Sequence, residues 1–443
     1  MDNMDNIENM ENVGNNAPRR QNPRRRKRSA MHYIKAYLPI VAIVLLVVLF
    51  IVFAVGSVKR ANEKREQERQ ESLAAEASMA QQRMEWEEEA LRLIDEAEIY
   101  AASCDYEKAI EVLDSFSGNL YEYSNLVTYR ERYENGDSKL VLWEETRKIP
   151  CLSFGKLIID PETKFKNSAN REEYISTAEF NTILQLLFDN GYMLVDLYDV
   201  FTTTTDANGE TLIVQNELKL PGGKKPIILV QTQPYGYEHQ LVVNSDGSFT
   251  TKVTPESGDP YTGSYDFVPL LEDFIRSNPG FSYKGARAVL AVTGFNGYFG
   301  YKAEDKAAIQ EVVTALKEKG YVVAGNTYAN VSYGRVKFDE MQEDAEKWEK
   351  EAEAVLGATE VLVYARSSDI SDEKTAYTGK KYDELYKTGF RYYFGLCYNS
   401  NPWMSITDYT VRIGRIMVTG GNLKNSPALY TELFDPAVVL GTK

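Results

Sequence analysis

The sequence predicts an α/β protein in which an incomplete (β/α)7-type barrel is preceded by a transmembrane helix, a helical stalk and a helical hairpin. Three observations carry that expectation. Residues 36–58 are an apolar run without a charged side chain, long enough to cross a hydrocarbon core of roughly 30 Å, where only a helix satisfies its own backbone. Residues 59–86 are dominated by Glu, Lys, Arg, Gln and Ala and contain neither Pro nor Gly, a helix-forming composition of alternating charge. Beyond Leu142, short apolar runs alternate with amphipathic stretches, as they do when parallel strands are covered by helices.

The N-terminal segment, residues 1–35, reads as a disordered basic tail. Arg19, Arg20, Arg24, Arg25, Arg26, Lys27, Arg28 and Lys35 precede the apolar run, whereas Lys59, Arg60, Lys64 and Arg65 after it are mixed with Glu63 and Glu66. The positive-inside bias therefore predicts a single-pass cell-membrane protein with a cytoplasmic N-terminus and its main domain outside. A cleaved signal peptide competes, since Ala54 and Gly56 form a small-x-small pair, but the apolar run exceeds the roughly 7 to 15 residues of such peptides. Residues 1–35 carry net +4, so of the total −15 the remainder carries −19. So acidic a domain argues against nucleic acid as its partner. The basic run Arg24 to Arg28 is explained by topology and contact with anionic lipid. Cys104, Cys151 and Cys397 are too few and too scattered for a disulfide framework.

The segments in order are the tail (1–35), the span (36–58), a stalk (59–89) through which the chain is expected to self-associate, a hairpin (90–140) and the barrel (141–443). In the hairpin, two helical patterns meet at Ser103-Cys104-Asp105, and Asp105 to Glu111, with Ala97, Tyr100, Ala109 and Leu113, resembles the entry to the second helix of a tetratricopeptide repeat. The barrel opens with a strand at Pro150 to Phe154. Ser176-Thr177-Ala178-Glu179 is a capping box that starts a helix through Phe188. Strands follow at Tyr192 to Leu197 and Ile227 to Gln231, and Leu241 to Val253 reads as a hairpin turned at Ser245-Asp246-Gly247. Helices at Val268 to Ile275 and Ile309 to Leu316 each precede a strand, Ala288 to Val292 and Tyr321 to Ala324. A helix at Phe338 to Leu356, a strand at Glu360 to Tyr364, a helix near Tyr382 to Tyr386 and a strand at Arg391 to Leu396 continue the alternation. Six or seven such strands make the barrel incomplete.

The order of these pieces resembles a polysaccharide-deacetylase (NodB-type) domain. Glu179 to Val200 is similar to the helix and strand that precede the first catalytic motif of that family. KPIILVQTQPYG, Lys225 to Gly236, is similar to the strand that ends in the family's paired aspartates and places Thr232 and Gln233 there. GYVVAGNTYANV, Gly320 to Val331, places Asn326 and Asn330 where the family has two metal-binding histidines. Val361 to Ile370 and Tyr382 to Met404 resemble the segments that shape the substrate groove, with Ala365 where a proline is frequent. The resemblance implies a divalent metal, yet zinc needs imidazole, thiolate or carboxylate ligands, and a general base needs a proton-accepting side chain. Thr, Gln and Asn supply neither, so no catalytic residue, metal or cofactor is expected; zinc belongs only to the alternative of an active enzyme. The only histidines are His32, before the span, and His239, read as a surface or hydrogen-bonded residue. The glycine motif Gly294 to Gly300 lacks the lysine of a phosphate loop and reads as a strand-end turn.

Loops after barrel strands converge on one face, here contributing Tyr235, Tyr237, Phe295, Tyr298, Tyr328, Tyr398 and Trp403 as an aromatic rim. Of these, Tyr235, Tyr237, Tyr298, Tyr328 and Trp403 are the glycan-binding candidates; amides at Gln233, Asn296, Asn326, Asn330 and Asn399 would meet hydroxyls. The expected function is a membrane-anchored, deacetylase-like but non-catalytic domain that binds a cell-wall or surface polysaccharide or acts as a scaffold at the cell envelope. The alternative is a hydrolase of envelope polysaccharide, either a deacetylase or a glycosidase with a carboxylate pair drawn from Asp196, Asp199, Glu238, Asp369 and Asp408.

Overall fold

The structure, a computed structural model, describes residues 30–232, 238–295 and 297–442, and the side chains from residue 37 onward. The chain divides into two compact units at Met84/Glu85. Helix α1, Ala30–Ala102, begins in the first, where it is long and apolar enough to cross a membrane. Its apolar side chains from Leu38 to Val58 are exposed, and the following turns carry pairs four residues apart, Lys59 to Glu63 at 3.8 Å and Lys64 to Glu68 at 3.6 Å.

The second unit starts with a small helical core. The end of α1 packs with α2, Tyr106–Asp114, and α3, Ser124–Glu134, through Ala90, Leu93, Ala97, Ala109, Leu113, Leu126 and Tyr133. Asp105 caps α2 by accepting from the Lys108 amide, just after Cys104 turns the chain at φ 64°. The helical segment therefore has three helices rather than the two of a hairpin. Helix α3 buries only Leu126 and Tyr133 along SNLVTYRERYE, too thin an apolar stripe to declare itself in sequence.

Seven parallel strands close the barrel: β1 Cys151–Phe154, β2 Lys225–Thr232, β3 Val289–Val292, β4 Val322–Gly325, β5 Val361–Val363, β6 Tyr392–Leu396 and β7 Val411–Val418. Each pairs with the next, and the ring closes where β7 meets β1 with Arg415 opposite Cys151. Successive side chains of a strand face opposite ways. One set, including Cys151, Ile228, Val230, Ala291, Ala324, Val363, Phe394 and Ile413, fills the interior. The other, including Leu152, Leu229, Leu290, Val323, Leu362 and Tyr393, packs outward with the covering helices α4 Thr177–Asp189, α5 Phe267–Ser277, α6 Lys306–Glu318, α7 Phe338–Lys347 and α8 Lys380–Lys387.

Two details depart from expectation. The run after Gly191 is a strand only over Tyr192–Leu194, pairing with the first residues of β2, because Asp196 then caps a helical turn at Leu197–Val200. The insertion after β2 has three strands, His239–Val243, Phe249–Val253 and Tyr261–Gly263, the first two turned through Gly247 at φ 77°.

Candidate functional site

The alternation that fills the barrel changes character at the C-terminal ends of its strands. Two residues beyond Cys151, Val230, Ala291, Ala324 and Ile413 come Ser153, Thr232, Thr293, Asn326 and Arg415, all polar. Thr232, Thr293, Asn326 and Arg415 line a cavity of about 650 Å³ at this mouth, together with Asn330 and the loop residues Lys156, Phe295 and Arg366. That volume suits a small ligand.

Each strand-end side chain is fixed by the backbone beside it. Thr232 donates its hydroxyl to the Phe154 carbonyl at 3.3 Å. Asn326 is 2% exposed; its side-chain amide donates to the Val363 carbonyl at 2.7 Å, and its backbone N–H donates to Val292. The loop after β4 is held from below by Asp344 of α7, a buried carboxylate that accepts from the amides of Tyr328 and Ala329, both at 2.8 Å, and from the Tyr333 hydroxyl at 2.7 Å. Backbone in the left-handed region, costly for residues other than glycine, gathers here: Phe299, Thr327, Asn330, Arg366 and Ser367 all have φ between 51° and 64°. Asn330 also has its side-chain oxygen buried with no donor among the described residues.

Arg415 is 2% exposed. It donates to the Ser153 hydroxyl (3.0 Å), the Tyr364 carbonyl (2.9 Å) and the Ser367 hydroxyl (3.3 Å). Burial pushes its pKa down to about 10, which leaves it cationic at neutral pH. Neither Arg415 nor Asp344 stood out in the sequence. Arg415 lies on β7, which its broken apolar pattern does not mark as a strand, although V-R-I-G-R-I-M-V puts it on the face shared by Val411 and Ile413. Asp344 signalled itself as an acid on the same helical stripe as Met341, Ala345 and Trp348.

Of the residues expected at the mouth, Thr232, Asn326 and Asn330 do meet there. Gln233, Tyr235, Tyr237 and Asn296 lie outside the described residues. Tyr298 is in the core, 3% exposed, with its hydroxyl donating to the Gly294 carbonyl, so it offers no face to a sugar. Tyr328 packs its ring over Gly294, where a Cβ would come within 2.3 Å of it, and donates its hydroxyl to Glu351. Trp403 and Tyr398 line a different cavity, of about 290 Å³, beside Arg412. The aromatic rim is thus dispersed; of its described members only Phe295 lines the mouth.

The carboxylates are dispersed as well. Asp196 and Asp199 form a reciprocal cap beside the N-terminal ends of the strands, where the Tyr198 ring lies 6.1 Å from that of Tyr392. Burial, and then the Asp196 charge, push Asp199 above the usual carboxylate range. Glu238 pairs with Lys156 at 2.6 Å, and Asp369 pairs with Arg412 at 3.1 Å. Asp408 is exposed. His239 is buried at the start of its strand, not on the surface, with Nδ1 3.6 Å from the fully buried Asp266.

The divalent metal implied by the resemblance does not fit the mouth. Thr232 and Asn326 offer a neutral hydroxyl and a neutral amide, poor ligands for zinc, and no group of three His, Cys, Asp or Glu side chains able to hold an ion occurs among the described residues.

No protein-family model matches the chain, and no curated protein matches it significantly in sequence. Among solved structures it is similar to a Streptococcus pyogenes deacetylase, PplD, in complex with acetate, at 13% identity and a TM-score of 0.38, covering 65% of this chain and 99% of that one. It is also similar to a de-N-acetylase from Aggregatibacter actinomycetemcomitans, at 11% identity and a TM-score of 0.37, covering 62% and 95%. Likenesses this distant assign no activity or substrate to the chain.

Proposed function

We propose that the chain is a membrane-anchored binding protein of the cell envelope whose barrel mouth, facing outward, takes a saccharide without hydrolysing it. One observation carries the reading: the strand ends present hydroxyl, amide and guanidinium groups around a cavity of about 650 Å³, on loops held in costly backbone conformations. Strain of this kind persists where the surroundings over-determine it and clusters at ligand sites. Amides and hydroxyls both donate and accept, which is what a polyhydroxylated ligand requires. They cannot deprotonate water at neutral pH; the one carboxylate on the lining, Glu173, is exposed, and no group of side chains able to hold an ion lies beside it among the described residues to activate a water. The basic flank before the apolar run supports an outward orientation.

The test uses the full chain in lipid nanodiscs with acetylated chitotetraose and, separately, added zinc. Saturable binding without acetate release is expected, unchanged by the metal. Chelator-sensitive release of acetate would replace this reading with a hydrolytic one.

A further inference from the structure

Resting on that reading of the mouth, we infer that the saccharide carries an anionic group, a carboxylate or a phosphate, which docks against the guanidinium of Arg415. Three arginines of the described chain are buried, and two have a carboxylate of their own. Arg287 is held by Glu272, with Nε and a terminal nitrogen at 2.5 and 3.1 Å, and Arg412 by Asp369 at 3.1 Å. Arg415 has none among the described residues; its partners are two hydroxyls, a carbonyl and the Met417 sulfur, all neutral. Its Nε is buried with no acceptor among the described residues, as is that of Arg412. Burial lowers its pKa, whereas the carboxylate of Glu272 helps to keep that of Arg287 raised.

A buried cation without a counter-charge is costly, and a fold that retains one beneath an open cavity has a place for the missing charge. A tie between β1, β5 and β7 alone would not need the open cavity above it. The same cavity presents the opposite deficit at Asn330, whose buried side-chain oxygen has no donor among the described residues. An anion for Arg415 and a hydroxyl for Asn330 are two features of one acidic sugar. The chain as a whole is strongly acidic, at −15, but at physiological ionic strength fields between exposed charges fade over about 8 Å, so contact at the mouth decides.

The experiment titrates the full chain in nanodiscs with cellobiouronic acid, its uncharged methyl ester, glucose 6-phosphate and inorganic phosphate. Binding is followed by ligand-observed NMR on wild type, Arg415→Lys and Arg415→Met. A charge-assisted contact gives roughly tenfold to hundredfold tighter binding of a charged sugar than of the ester. Arg415→Met abolishes that preference and Arg415→Lys retains part of it. Equal binding of acid, ester and sugar phosphate overturns the inference and leaves the saccharide reading standing. Binding of inorganic phosphate alone, lost in Arg415→Met, upholds the anion site and removes the saccharide. No binding of any probe removes both. The comparison of acid with ester needs only the wild-type protein, so an Arg415 variant that fails to fold leaves the test intact.

Discussion

Asp344 shows how one buried side chain sets the shape of the mouth. Its two oxygens take three donors, the amides of Tyr328 and Ala329 and the Tyr333 hydroxyl, and so fix the loop that holds Thr327 and Asn330 at positive φ. Asp344→Asn is nearly isosteric, but one of the two positions becomes an NH₂ group facing a donor. The expected loss is about 1–3 kcal/mol in urea unfolding, the usual cost of a buried donor left without an acceptor. It is accompanied by faster amide hydrogen exchange at residues 327–333 than elsewhere in the barrel. An unchanged exchange pattern would show that the loop keeps its strained course without the carboxylate. Asn326 ties two strands of the barrel together. Its amide spans to the Val363 carbonyl of β5, and an imidazole there must surrender that hydrogen bond unless the strands shift.

The elements carry a second consequence, at the turn Leu197–Val200. The carboxylates of Asp196 and Asp199 cap it reciprocally, and burial with mutual repulsion raises Asp199 in the folded state above its unfolded value of about 4. Between those two values the folded chain binds more protons than the unfolded one, so this group destabilises the fold progressively as pH rises from about 4 through the folded pKa. Thermal unfolding of Asp199→Asn, which keeps an acceptor for the Asp196 amide, is expected to fall less over that interval than wild type. Parallel curves would refute the assignment. The turn also marks what sequence reveals. Most barrel strands were legible because they are Val- and Leu-rich runs bounded by turn residues, and α4 because Ser176 and Glu179 form a complete capping box. Strand β7 was not, since two arginines and a glycine interrupt its apolar pattern, and both of those arginines are buried. The meeting of Thr232, Asn326 and Asn330 at one opening was legible, but nothing in their spacing announces a guanidinium from β7. Tyr298 and Trp403 misled because aromatic residues near strand ends serve packing as readily as recognition.

At the scale of the whole molecule, the charge distribution and the apolar part of α1 make one claim together. The large apolar side chains from Leu38 to Val58 are exposed, no core among the described residues covers them, and lipid would be the solvent that removes that cost. Orientation then depends on which flank resists translocation. The N-terminal flank holds eight basic residues and the segment after Val58 interleaves bases with acids, so the bias resides almost wholly in the residues before the span. Protease added to intact cells is therefore expected to degrade the Glu85–Lys443 unit of the wild-type chain. Replacing Arg24, Arg25, Arg26, Lys27 and Arg28 with Asn leaves the span itself untouched and removes most of that bias, so a protected fraction is expected to appear. A wild-type unit that resists protease until the membrane is dissolved would put the barrel mouth on the cytoplasmic side, and an envelope saccharide could not then be its ligand.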